Sequence, residues 1–236
     1  MENKKINLLK MIVSCVFAFA ILGAYAYHIW KGEPFDRPYL YYGAVGLCML
    51  FSLLFVKSNI KKILITLALM LTVVADYFLV FNATDANKAI GLYVFCGVQF
   101  VYLIYSLVIT KNNFARALNF GSRAGLSVAA ILILPRYLTL TTMQIVAVIY
   151  IINALITLIT LAVHMKTEWL TFIGFLLFMI CDVAIGLTNG GAEIIGISGG
   201  LIDFLNTYDI AFFCYIPGLF LISLSSVWAK NTNKND

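Results

Sequence analysis

Two aspartates stand where a chain this apolar carries almost no charge. Asp76 lies in LTVVADYFLVF and Asp182 in LFMICDVAIGL, each within a run of about twenty apolar residues. A charged Asp at the centre of a membrane helix costs about 2.5–3.5 kcal/mol on insertion scales, so such residues face the bundle interior and usually serve function. Two carboxyl groups sharing a low-dielectric site repel when both are ionised. One then keeps its proton and the other stays a carboxylate. That pair suits general acid and general base chemistry. It equally suits proton coupling or cation binding in a carrier. The purely structural reading is a protonated Asp that joins two helices by a hydrogen bond.

The elements that must position these acids follow from composition. Of 236 residues, 62% are hydrophobic and 11% charged, against about 25% charged in soluble domains. Too little polar surface remains for a soluble fold. The apolar runs are continuous rather than alternating, which excludes a membrane β-barrel. The class is an all-α, polytopic membrane helix bundle, with residues 1–236 forming a single integral membrane domain. Eight segments are long enough to span about 30 Å, which takes roughly 20 helical residues. They fall near 8–29, 38–56, 63–81, 89–110, 118–134, 141–163, 169–187 and 209–229. The fifth is the weakest, being short with Arg116 and Arg123 at its start. The N-terminal segment has a basic start and AYA at 24–26, but its length and the spans that follow make it the first membrane helix rather than a cleaved leader.

With the N-terminus inside, twelve Lys and Arg residues collect on the inner side and four on the outer. This positive-inside bias places the protein in the cell membrane, multi-pass, with both termini cytoplasmic. The net charge of +5 reads as topology. No basic stripe with interleaved aromatics supports nucleic-acid binding. The five cysteines lie in apolar runs without a CxxC pair, so they read as buried small hydrophobes. His28 and His164 stand alone and read as interfacial or satisfied side chains. The Gly-rich loop 188–208 suits a short interfacial helix or a re-entrant cap.

An offset of 106 residues superposes Asp76 on Asp182, and FCGVQFVYLI from Phe95 then resembles FCYIPGLFLI from Phe213. The third and seventh spans run in the same direction, so the chain reads as two parallel four-helix halves. Each aspartate stands about fourteen residues into its span. At about 1.5 Å per residue the two share one depth, in the outer half of the bilayer.

The order of these elements resembles the YhhN-like family of eight-span membrane proteins, whose characterised members include lysoplasmalogenases. In LTVVADYFLVF, Asp76 holds the motif position. In GLYVFCGVQFVYLIY, Gly91, Phe95 and Tyr102 match, and Gln99 stands where many members have His. In GFLLFMICDVAIGL, Gly174, Phe178 and Asp182 match. In YDIAFFCYIPGLFLIS, Tyr208 and Tyr215 match, and Leu219 stands about where Gln is common.

The resemblance implies an integral membrane hydrolase acting on the vinyl ether bond of a lysoplasmalogen. A proton on the outer alkene carbon creates an oxocarbenium-like centre, to which water adds, releasing a fatty aldehyde and a glycerophospho-base. Asp76 and Asp182 would be the acid–base pair, in unassigned order, by the two-carboxylate logic of glycosidases. Gln99 and Tyr102 would orient water or the ether oxygen, and Tyr215 would line the pocket. Asp209, at the start of the last span, is a further substrate-binding candidate or a helix cap. This chemistry needs no metal or cofactor, and the partners it implies are the bilayer and a lysophospholipid or other single-chain lipid. Gly43, Gly46, Gly97 and Gly174 suit close helix packing or passage of the lipid tail. No GxSxG or HExxH element appears. The competing expectation is a proton-coupled small-molecule or lipid transporter using the same two acids.

Overall fold

Apolar runs of this length fold as helices because lipid offers no partner for a backbone N–H or C=O. The structure, a computed structural model, describes residues 9, 11–20, 23, 26–27, 37–55, 59–82, 84–188 and 199–228. Helix α1 is Met11–Ala20. Then follow α2 (Arg37–Phe55), α3 (Ile60–Asp76), α4 (Asp85–Ile109), α5 (Asn113–Tyr137), α6 (Thr142–Val163), α7 (Met165–Gly186), α8 (Gly199–Thr207) and α9 (Ile210–Trp228). The described residues contain no strand.

Six of these helices are long and apolar enough to cross a membrane: those of α3 to α7 and α9. Two shorter apolar helices, Met11–Ala20 and Tyr42–Leu54, fall within the first two expected segments. The expected count was eight. Part of the first segment, including His28 and residues 24 and 25 of AYA, lies outside the described residues, as do 189–198 of the expected cap. The short helix expected in that loop is present as α8.

Polar residues set the helix starts. Asn59 accepts the Lys61 N–H, Thr84 accepts that of Asn87, and Asn112 accepts those of Phe114 and Ala115. Thr141 and Gln144 form a reciprocal capping box at the start of α6. The fifth span is longer than its apolar run predicted. Its buried Arg123 donates to Asn119 Oδ1 (2.9 Å), to the Asn153 carbonyl on α6 (2.9 Å), to Thr157 Oγ1 (3.0 Å) and to Ser106 Oγ on α4 (3.3 Å). Satisfied in this way, the guanidinium stays inside the bundle and ties α5 to its neighbours.

The most extensive helix contacts are α7 with α9 and α3 with α4. The α7–α9 crossing needs glycine. A Cβ on Gly174 would lie 2.7 Å from the Gly218 carbonyl oxygen, and one on Gly218 would lie 2.9 Å from that of Gly174. Gly43 and Gly46, expected at close crossings, have open space beside them. Toward the Lys-rich end, Ser52 Oγ is 2.6 Å from Thr66 Oγ1 and 2.7 Å from Ser226 Oγ, joining α2, α3 and α9.

Candidate functional site

Each aspartate stands near the point where its helix widens. Asp76 is the last residue of regular α3, and Tyr77–Phe81 continue as a π-helical turn. The helix bearing Asp182 also ends in π-type residues, Leu187 and Thr188. Such widenings recur at functional positions because they turn a side chain out of the regular helical register.

Asp76 is 3% exposed and accepts a hydrogen bond from the hydroxyl of buried Tyr215 on α9. Asp182, half-buried on α7, accepts one from the hydroxyl of buried Tyr150 on α6. The two carboxylates lie within electrostatic reach of each other. Cys181, Cys214 and Asp209 fall in the same neighbourhood. Four helices therefore converge on two Asp–Tyr pairs. The pairs are joined through aromatic rings: Phe178 is 5.9 Å from Tyr215 and 6.0 Å from Phe95, which meets Tyr150 edge-on at 5.9 Å.

Gln99 on α4 is 3% exposed and lies beside the Tyr150 hydroxyl. The contact falls short of hydrogen-bond geometry, and neither amide atom has a partner among the described residues. Most buried polar atoms are paired, so this amide is suited to a group the protein does not itself supply. Tyr102, one turn further along α4, packs edge-on against Phe175 at 4.8 Å. It belongs to the aromatic layer on the Lys-rich side of the acids. Asp209, with φ 46, ends the turn after α8, and its carbonyl accepts the Phe213 N–H at 3.1 Å. That backbone bond opens α9. Leu219, where Gln is common in the resembling family, is buried in the core.

Residues that sequence reasoning passed over complete the picture. Tyr150 was legible only as a tyrosine deep inside an apolar run, away from the interface where most membrane tyrosines anchor. Glu168 read as a loop residue between spans. It sits inside the first turn of α7, buried, where it pairs with Lys61 of α3 at 2.8 Å and accepts the Tyr105 hydroxyl of α4 at 2.7 Å. His164 is satisfied, its Nδ1 lying 2.9 Å from the Thr160 carbonyl oxygen. Among the described residues, no group of three His, Cys, Asp or Glu is placed to hold a metal ion.

Residues 40–226 match the model of the YhhN family. The chain belongs to that family. The matched stretch includes both aspartates, both tyrosines that bond them, and Gln99. No curated protein and no solved structure matches the chain. Family membership and six long apolar helices together make it a helical membrane protein.

Proposed function

We propose that this YhhN-family protein is an ether-lipid hydrolase of the lysoplasmalogenase kind, working with Asp76 and Asp182 as its acid–base pair. One observation carries the reading: two interior carboxylates from separate helices lie within electrostatic reach, each bonded to a tyrosine, beside the unpartnered Gln99 amide. In the reaction, the protonated Asp gives its proton to the outer alkene carbon of the vinyl ether. Positive charge then develops on the carbon bonded to oxygen. The ionised Asp stabilises it and takes a proton from the water that adds there. The hemiacetal so formed breaks its carbon–oxygen bond, releasing aldehyde and the free glycerol hydroxyl. Tyr215 and Tyr150 hold the two carboxyl groups in place, and Gln99 orients water or the ether oxygen.

In this reading the two shorter apolar helices complete an eight-span bundle in the cell membrane. Its two halves are parallel and both termini lie in the cytoplasm, with the acids in the outer half of the bilayer. The partners between halves are not copied, since Asp76 bonds α9 and Asp182 bonds α6.

A second reading has its own support. From Gln99, polar side chains continue along α4 through Tyr102 and Tyr105 to Glu168 at the Lys-rich end. A proton-coupled transporter would use such a path to reach the same acids. The test is aldehyde release from lysoplasmenylethanolamine by the detergent-purified protein, with Asp76→Asn and Asp182→Asn as controls. General acid–base residues are worth about 10²–10⁴-fold in rate, so each variant should lose at least a hundredfold. Failure of the intact protein to release aldehyde above those variants removes the hydrolase. Substrate-driven proton flux in liposomes without product would then establish the carrier.

A further inference from the structure

Among the described residues, the Gln99 side chain has two unmet needs at once. Its Oε1 lacks a donor and its Nε2 lacks an acceptor, although the residue is almost fully buried. Around it on α4, Phe95, Val98 and Tyr102 are buried as well, and Phe95 packs against both Tyr150 and Phe178. The Tyr150 hydroxyl lies beside the amide and gives its own proton to Asp182. The amide therefore stands one hydroxyl away from a carboxyl group of the acid pair. Buried polar atoms without partners are few, and each is costly. A group that completes this amide must donate a hydrogen bond to Oε1 and accept one from Nε2.

A hydroxyl group meets both demands, since it is a donor and an acceptor on one oxygen. An ether or ester oxygen accepts only and leaves Oε1 bare. We infer that the Gln99 amide binds the free glycerol hydroxyl of a single-chain lipid. The inference rests on the proposed hydrolysis for its substrate. In a lysoplasmalogen that hydroxyl is on the carbon next to the one bearing the vinyl ether oxygen. Held by Gln99, it fixes the ether close to Asp182, so the amide orients the ether oxygen through its neighbour. A second chain esterified at that carbon removes the proton that Oε1 needs. A site built to bond a hydroxyl discriminates against an analogue without one, because its own polar groups stay unpaired. Water offers the same hydroxyl chemistry, and the two sources respond differently when the lipid loses its hydroxyl.

The full chain in detergent is given lysoplasmenylethanolamine or its analogue with hydrogen in place of the free hydroxyl, and kcat/KM for aldehyde release is compared. The hydroxyl lipid should be favoured by at least about tenfold, the worth of a pair of hydrogen bonds, and Gln99→Met should abolish that preference. An amide that holds only water gives the intact protein no preference, and Gln99→Met then slows both substrates alike; that result overturns the assignment, as does a preference that survives Gln99→Met. Thermal unfolding with two uncleavable lipids, the saturated ether analogues with and without the hydroxyl, reads binding alone. The hydroxyl lipid should raise Tm more than its counterpart in the intact protein and no more than its counterpart in Gln99→Met. Equal rises in the intact protein overturn the proposal. A hydroxyl-dependent rise in Tm without aldehyde release removes the hydrolase and keeps the hydroxyl site. Aldehyde release without hydroxyl preference removes the hydroxyl site and keeps the hydrolase. The two-lipid comparison on the intact protein needs no variant, so it decides the matter even where Gln99→Met fails to fold.

Discussion

Replacing Gln99 by Met separates a functional amide from a structural one. The side chain is 3% exposed and both amide atoms lack a partner among the described residues. A buried polar group without a partner costs about 1–3 kcal/mol. Met has nearly the same length and a flexible shape that fills the space left by the amide. Gln99→Met should therefore stabilise the protein by roughly 1–3 kcal/mol. In a chain of this size each kcal/mol moves Tm by about 2–4 °C. The same change should lower aldehyde release about tenfold or more, because losing about 1.4 kcal/mol of transition-state stabilisation is tenfold in rate. The assay is a thermal unfolding curve in detergent alongside turnover of lysoplasmenylethanolamine. Unchanged turnover with a raised Tm would show that the amide plays no part in the reaction. A fall in stability of more than about 1 kcal/mol would show that the amide is satisfied inside the folded protein, and the reasoning from its isolation would be refuted.

Tyr215→Phe and Tyr150→Phe each remove a hydrogen bond to an aspartate carboxyl group, worth about 1.5–3 kcal/mol when the acceptor is charged. Each should slow turnover about ten- to a hundredfold with the helical content unchanged by circular dichroism. Lys61→Met leaves Glu168 without its counter-ion and should cost about 3–5 kcal/mol; adding Glu168→Gln should recover most of the lost Tm. Gly174→Ala drives a methyl against the Gly218 carbonyl and the Ile222 backbone and should destabilise by about 1–3 kcal/mol. Gly43→Ala, facing open space, should shift stability by no more than about 0.5 kcal/mol in either direction. Paired unfolding curves of the two glycine variants test the contrast.

The sequence by itself determined that the chain is helical and belongs in a membrane, because length and apolarity of a run are local properties that lipid converts directly into helix. It also singled out Asp76 and Asp182, since a carboxyl group within an apolar run is costly wherever its helix packs. The motif order carried the family. What only the tertiary structure decided is which groups meet. The partners of the aspartates, Tyr215 and Tyr150, are 139 and 32 residues away along the chain, and their choice depends on the rotation of α9 and α6 about their own axes. The close crossing at Gly174 and Gly218 sets that rotation for α9 against α7, and a glycine's neighbours are not written beside it in the chain. Glu168 and Arg123 read as loop and boundary charges for the same reason. Burial became tolerable only when Lys61 and Tyr105, or Asn119, Asn153 and Thr157, arrived from other turns and helices to pair them. A one-dimensional hydropathy pattern records the cost of a buried charge but not the partners that offset it.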